Sequence, residues 1–289
     1  MRYVAPLSVE EAANVLGSSA GRARLMAGGT DLLPRFSSGS GYPDVLVDIK
    51  RIPELMQIGT HADGSATIGA AVCGADIYEH AELRRYWPGV TEATDLIGSV
   101  QIQSRASLGG NLCNASPAAD SVPALIAARA QCLLVGSTGM RQLPVEQIIV
   151  SPGKTCLRAD EIMLSITLPS RPPRSADAYL RLTPRAEMDI AVVGAGANLV
   201  LDEEGAVVQC HVALGAVAPV PVLASEAAAL LLGSRLEDDV IKRFSHRIKA
   251  ACHPIDDKRG TADYRTDMAA VLAVRAVRTA RQRALSGER

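Results

Sequence analysis

Aromatic side chains are scarce in this 289-residue chain: one Trp, two Phe and six Tyr leave the apolar 48% to aliphatic residues, a set that suits mixed helix and sheet. Charge of one sign is lacking too. Thirty basic residues stand against 31 acidic ones for a formal net charge of −1, so no global field recruits nucleic acid or an anionic membrane. The six cysteines, Cys73, Cys113, Cys132, Cys156, Cys210 and Cys252, form no Cys-x-x-Cys pair, which argues against an iron–sulfur cluster or zinc site carried by this chain. No uninterrupted apolar run reaches the roughly 18 to 20 residues of a membrane helix. The longest, Val212 to Ala224, contains two prolines. Pro6 and the Glu10-Glu11 pair break the apolar character of the amino end, so no signal peptide is expected. The scattered cysteines then read as reduced thiols in the cytoplasm.

Several catalytic signatures are missing as well. The five histidines never fall three or four residues apart, and no Gly-x-Ser-x-Gly elbow exists, so metalloenzyme and hydrolase readings lose their support. Neither Gly-x-Gly-x-x-Gly before a helix nor Gly-x-x-x-x-Gly-Lys-Ser occurs, which leaves a Rossmann site and a P-loop without a basis. Gly194-Ala-Gly-Ala-Asn runs on into Leu-Val-Leu and an Asp-Glu-Glu-Gly turn, so it reads as small residues in a closely packed sheet.

What the chain does have is a pair of glycine turns. Ala106-Ser-Leu-Gly-Gly-Asn-Leu-Cys-Asn-Ala-Ser-Pro-Ala-Ala-Asp concentrates glycines, amides, hydroxyls and one carboxylate among small residues. Small side chains let a ligand approach the backbone, and successive N–H groups can converge on one anion. Asp120 or Ser121 is placed to cap a following helix. The second turn lies earlier: Arg24-Leu-Met-Ala reads as a strand, Gly28-Gly29 as a tight turn, and Thr30-Asp-Leu-Leu as the start of a helix with Thr30 as its N-cap. One such turn suits a strand-to-helix connection with no ligand; two suit a ligand with two phosphates.

Ser8 with Glu11 is a capping box that opens a helix ending near Gly17. Val45 to Ile49 is a strand, and Leu55 to Gly59 and Ala66 to Ala70 flank a His61-Ala-Asp-Gly hairpin turn. Helices are expected over 75–83 and 89–97, and strands over 131–137, 140–144 and 161–169. Ser170-Arg-Pro-Pro-Arg-Ser-Ala is the most linker-like segment, and a domain boundary is placed there. Beyond it strands come first, at 178–183, 190–201 and 207–214, and helices later, at 223–232, 236–251 and 263–285, an α+β arrangement. Arg181 falls inside an apolar strand, where a guanidinium needs a carbonyl or an anionic partner. His253 is placed to pair with Asp256 or Asp257.

Met26-Ala-Gly-Gly-Thr-Asp-Leu-Leu, Val45-Leu-Val-Asp-Ile, Thr67-Ile-Gly-Ala, the 106–120 stretch, Asp189-Ile-Ala and Asp256-Asp-Lys-Arg-Gly-Thr-Ala-Asp-Tyr-Arg follow one order along essentially the whole chain. In that order and spacing the sequence resembles the FAD-binding medium subunit of molybdenum hydroxylases, the xanthine dehydrogenase and carbon monoxide dehydrogenase family. The resemblance implies a two-subdomain FAD-binding fold of the vanillyl-alcohol-oxidase (PCMH) type, with subdomains at 1–55 and 56–172. A carboxy-terminal α+β domain of the CO dehydrogenase flavoprotein type, an antiparallel sheet plus helices, would follow at 176–289.

FAD would be held without a covalent bond, and no catalytic or metal-binding residue is implied in this chain. Carried over by position, Leu25, Met26, Ala27, Gly28, Gly29, Thr30, Asp31 and Leu32 would wrap the diphosphate and ribityl chain, with Ser107, Gly110 and Asn111 as the second set of donors. Asp120 would contact a sugar or the adenine, and Met163 and Arg181 would lie at the isoalloxazine ring. Ile97 stands where relatives carry an aromatic residue. Molybdopterin would reside in a large partner subunit and two [2Fe–2S] clusters in a small one, in a dimer of heterotrimers whose acceptor is NAD+ or another oxidant. A binding module for another phosphorylated ligand and a self-contained flavin oxidase are the competing readings.

Overall fold

A computed structural model describes residues 1–39 and 41–287, so the last two residues of the expected carboxy-terminal domain, 288 and 289, lie outside the described residues. The first unit contains β1 (Arg2–Val4), α1 (Val9–Ser18), β2 (Ala23–Met26), α2 (Leu32–Ser37) and β3 (Val45–Asp48). Its strands form a parallel sheet ordered β1-β3-β2, whose crossovers need the intervening helices. The Ser8 hydroxyl accepts from the Glu11 N–H at 3.1 Å, while the Glu11 carboxylate accepts from Leu7, one residue before the expected reciprocal partner. Asp31, not Thr30, occupies the N-cap position of α2, and its side chain makes no capping bond.

The second unit opens with β4 (Ile58–Thr60) and β5 (Ala66–Gly69), the expected hairpin, but Leu55 and Met56 belong to a 3-10 turn over Pro53–Met56. Helices α3 (Gly74–Glu79), α4 (Ala81–Tyr86), α5 (Pro88–Asp95), α6 (Val100–Gln103), α7 (Leu108–Cys113) and α8 (Ser121–Ala127) follow. The single helix expected over 75–83 is two, because the His80 backbone turns extended and its imidazole accepts from the Leu83 N–H to start α4. Strands β6 (Gln131–Gly136), β7 (Gly139–Pro144), β8 (Ile149–Ser151), β9 (Lys154–Thr155) and β10 (Ile162–Leu168) complete the unit. The antiparallel sheet β4-β5-β10-β6-β7 puts Ile166 between Ile68 and Cys132, and these three lie in one buried core with Leu125 and Leu134.

The third unit is the antiparallel sheet β11 (Ser175–Leu182), β12 (Val193–Leu201), β13 (Val207–Gly215) and β14 (Val222–Leu223). After it come α9 (Ser225–Ala229), shorter than the expected 223–232, α10 (Asp238–Ala250) and the 25-residue α11 (Ala262–Ser286). Alanines 269, 273, 276 and 280 of α11 are buried in the core that also holds Val193, Ala195 and Ala197 of β12. Small residues let helix and sheet approach closely. On the other face, a Cβ at Gly196 would lie 2.6 Å from the Pro123 carbonyl oxygen of α8, so the small-residue strand exists to admit that helix backbone.

The linker-like segment is not slack. Arg171 is buried, pairs with Asp177 at 2.8 Å and stacks its guanidinium 4.1 Å from the Trp87 ring centroid, while its N–H donates to the Asp63 carbonyl. The expected pairing of His253 with Asp256 or Asp257 is not formed. Asp257 turns to Arg265 at 2.7 Å, Asp256 accepts from the Ala262 N–H, and His253 donates its backbone N–H to Val217.

Candidate cofactor site

The two glycine turns face each other across one cleft of about 300 Å³. The first leaves β2 and enters α2; the second is the start of α7, where the Ser107 hydroxyl accepts from the Gly110 N–H at 3.1 Å. Leu25, Met26, Ala27, Gly28, Gly29, Thr30, Asp31 and Leu32 line one wall, Ser107, Gly110 and Asn111 the other, and Ile97 and Met163 the apolar end. That end is completed by Leu157 and Ile162, which have no motif around them and were not legible in the sequence.

The glycines do different work. Gly29 sits at φ +76°, the left-handed region that favours glycine. A Cβ on Gly28 would lie 2.3 Å from the Arg105 carbonyl oxygen, so this glycine lets the first turn press on the chain that leads into the second. A Cβ on Gly110 would meet only the Ser107 hydroxyl, at 2.9 Å. Gly110 therefore has open space in front of it, where a ligand can approach.

Among the described residues, the backbone N–H groups of Gly28, Gly29, Thr30 and Asp31 have no protein acceptor. Four consecutive donors at the mouth of a helix, exposed to a cleft, form an anion cradle. Asn111 adds to it: its Oδ1 accepts from the Ser121 hydroxyl at 2.7 Å, which leaves the amide NH2 free to donate. Two cations line the same cleft, Arg24 and Arg35, and Arg35 Nη2 donates to Asn114 Oδ1 on the opposite wall. The cradle, the cations and the aliphatic end fit a ligand with a diphosphate and a flat apolar ring system. Cys113, an exposed residue, also lines the cleft.

Two expected site residues are absent from the lining. Asp120 and Arg181 pair at 2.9 Å behind the apolar end, Arg181 also donates to the Leu96 carbonyl at 2.6 Å, and the Tyr179 hydroxyl donates to Asp120 at 3.1 Å. The carboxylate needed here is the one expected to cap α8, so Asp120 makes no cap bond. Arg181 gets both the carbonyl and the anion that a guanidinium in a strand requires. The cluster joins α8, β11 and Leu96, next to Ile97 of the cleft wall, and so braces that wall from behind.

Burial pushes Asp120 up to about 6 from the usual 3.8, against the pull of Arg181. A raised carboxyl pKa means that the folded chain keeps a proton the unfolded chain has lost. Stability from this group is complete below pH ~4 and is lost as pH rises through about 6, by roughly 3 kcal/mol. Asp120→Asn should remove this dependence, so the stability difference between wild type and variant, measured by denaturant titration at pH 4 and pH 7, should change by that amount. A difference independent of pH would show that Asp120 does not titrate in this window.

Comparison with known proteins shows the family. Residues 1–171 match the family described as the FAD binding domain in molybdopterin dehydrogenase, and residues 178–280 match the CO dehydrogenase flavoprotein C-terminal domain. The chain is 33% identical over 280 residues to the carbon monoxide dehydrogenase medium chain of Hydrogenophaga pseudoflava, covering 96% of each. It is 28% identical over 264 residues to the xanthine dehydrogenase FAD-binding subunit of Escherichia coli O157:H7, covering 91% of this chain and 90% of that one. The solved carbon monoxide dehydrogenase from Hydrogenophaga pseudoflava, in a form that lacks the Mo-pyranopterin moiety of its molybdenum cofactor, superposes with a TM-score of 0.93 at 32% identity over 98% of both chains.

Proposed function

This chain belongs to the family of FAD-binding subunits of molybdenum-containing dehydrogenases, and from that premise we propose that it carries electrons from [2Fe–2S] clusters of a small partner subunit to NAD+ or another acceptor. The substrate is oxidised at molybdopterin in a large partner subunit, and the three chains assemble as a dimer of heterotrimers in the cytoplasm. Subdomains 1–55 and 56–172 hold the cofactor between them, and 176–289 closes the apolar end from behind.

The observation that carries this reading is the pair of glycine turns facing one cleft. The N–H groups of Gly28 to Asp31 and the Asn111 amide hold the diphosphate, Arg24 and Arg35 balance its charge, and Ile97, Leu157, Ile162 and Met163 shield the isoalloxazine ring from water. Bound FAD supplies the exchange between one-electron donors and a two-electron acceptor. Among the described residues no acid–base pair lines the cleft, as suits a site that moves electrons and leaves substrate chemistry elsewhere.

The purified chain should take up FAD and show the flavin absorbance bands. No uptake would return the chain to a binding module for another phosphorylated ligand. Within the site, Arg35→Met should weaken FAD binding about tenfold, or ~1.4 kcal/mol, and flatten the salt dependence of the Kd. Calorimetric titration at two ionic strengths reads both, and an unchanged salt slope would remove Arg35 from the diphosphate.

A further inference from the structure

Lys50 and Cys73 meet where the two halves of the cleft join. Lys50 follows Ile49, a cleft residue whose N–H bonds to the Met26 carbonyl beside the first glycine turn. Cys73 sits at the start of α3 in an antiparallel bridge with Ser107, the cap of the second turn, and its neighbour Gly74 donates to the Ala106 carbonyl at 2.8 Å. The half-buried Lys50 side chain crosses between the halves, with Nζ 2.9 Å from the Ala71 carbonyl oxygen and 3.1 Å from Cys73 Sγ.

The usual partner of a lysine is missing. Among the described residues Lys50 Nζ pairs with no carboxylate; nearby Asp48 is taken by the Tyr3 hydroxyl at 2.7 Å and the Lys50 backbone N–H at 3.0 Å. Among the described residues no other cysteine sulfur accepts from an amine. Cys132, Cys210 and Cys252 are buried, and burial pushes the Cys210 thiol up to about 12, Cys252 up to about 11 and Cys132 up further.

We propose that Lys50 and Cys73 are a modification site, at which hydrogen peroxide converts the amine–sulfur contact into a covalent cross-link between the two halves of the cleft. The inference rests on the FAD reading for its oxidant, since dioxygen that meets a reduced flavin yields peroxide. The Cys73 thiol attacks peroxide, the O–O bond breaks, and the sulfur, oxidised by two electrons, becomes a sulfenic acid with release of one water. The Lys50 ammonium gives a proton to solvent and its nitrogen attacks the sulfur; the S–O bond breaks, the oxygen leaves as a second water, and an S–N sulfenamide remains. One peroxide is consumed and no other oxidant is needed. Thiols reverse the reaction by reducing the S–N bond.

The bond would staple both glycine turns at their roots, so the cross-linked chain should release bound FAD more slowly than the reduced chain. The test treats the full FAD-free chain with added hydrogen peroxide, then maps its peptides by mass. Expected is a linked pair holding Lys50 and Cys73, about 2 Da lighter than the two peptides together, lost on dithiothreitol treatment and absent from Lys50→Arg and Cys73→Ser. A linked pair with one more oxygen, bridged N–O–S by a second peroxide, supports the same site. Cys73 recovered as sulfinic acid with Lys50 unmodified, or Cys73 left unoxidised while other thiols react, overturns the proposal. Because peroxide is added directly, a chain that cross-links but binds no FAD refutes the cofactor reading and not this one.

Discussion

Gly110→Val is expected to weaken FAD binding at least ~100-fold, or about 2.7 kcal/mol, while the chain stays folded, and Gly28→Val is expected to unfold the site itself. The two residues look alike in the sequence, each half of a Gly-Gly pair or beside one. Their surroundings separate them. At Gly110, among the described residues outside its own helix backbone, an added Cβ would meet the Ser107 hydroxyl alone, which can rotate away at the cost of its cap bond, about 1 kcal/mol. The valine methyl groups then project into the cleft, in the space proposed for the diphosphate.

At Gly28 an added Cβ would lie 2.3 Å from the Arg105 oxygen and 2.6 Å from its carbonyl carbon, backbone atoms that cannot swing aside. The loss there is of order 3 kcal/mol or more, and it falls on folding before it falls on binding. Flavin absorbance after gel filtration and thermal denaturation, run on both variants, separate the effects. Undiminished FAD uptake by Gly110→Val would take this glycine out of the site.

The second large effect belongs to Arg171. Replacing it with methionine should destabilise the chain by about 3–5 kcal/mol and lower its thermal midpoint by roughly 10 °C, because Asp177 would keep a buried charge without its counter-ion. Both side chains are 3% exposed, and burial already raises the Asp177 pKa against the pull of Arg171. The variant also strips the Trp87 ring of its stacked cation, although the indole N–H keeps its 2.7 Å bond to the Gly64 carbonyl.

Asp177 in turn accepts from the Val90 N–H in α5, the helix that leads to Leu96 and Ile97, so the pair sets the cleft wall as well as the joint between units. Arg171→Met with Asp177→Asn should recover part of the loss. Equal midpoints for wild type and the single variant would mean that the ion pair contributes nothing net.

Much of the candidate site was legible because it is built from short local signals. Glycines, hydroxyls and amides between a strand and a helix specify backbone donors by their own chemistry, and thirteen of the fifteen residues expected from the family pattern line one cleft. Leu157 and Ile162 were not legible, since an aliphatic residue in a strand or loop carries no sign of which cavity it will face. Arg24 and Arg35 were equally silent, because a lone arginine beside a turn is most often solvated.

By itself the sequence determined the mixed helix and sheet composition, the two glycine turns and, through the ordered motifs, the family. Only the tertiary structure decided which groups face the cleft and which stand behind it. Asp120, a helix cap by its position in the chain, is drawn into an ion pair with Arg181 because burial makes an unpaired charge costlier than an unmade cap. Arg171, a linker residue by its prolines, is drawn under Trp87 for the same reason. Pairings such as Arg171 with Asp177, six positions apart, and Asp120 with Arg181, 61 positions apart, depend on which elements pack together, and no local pattern encodes that.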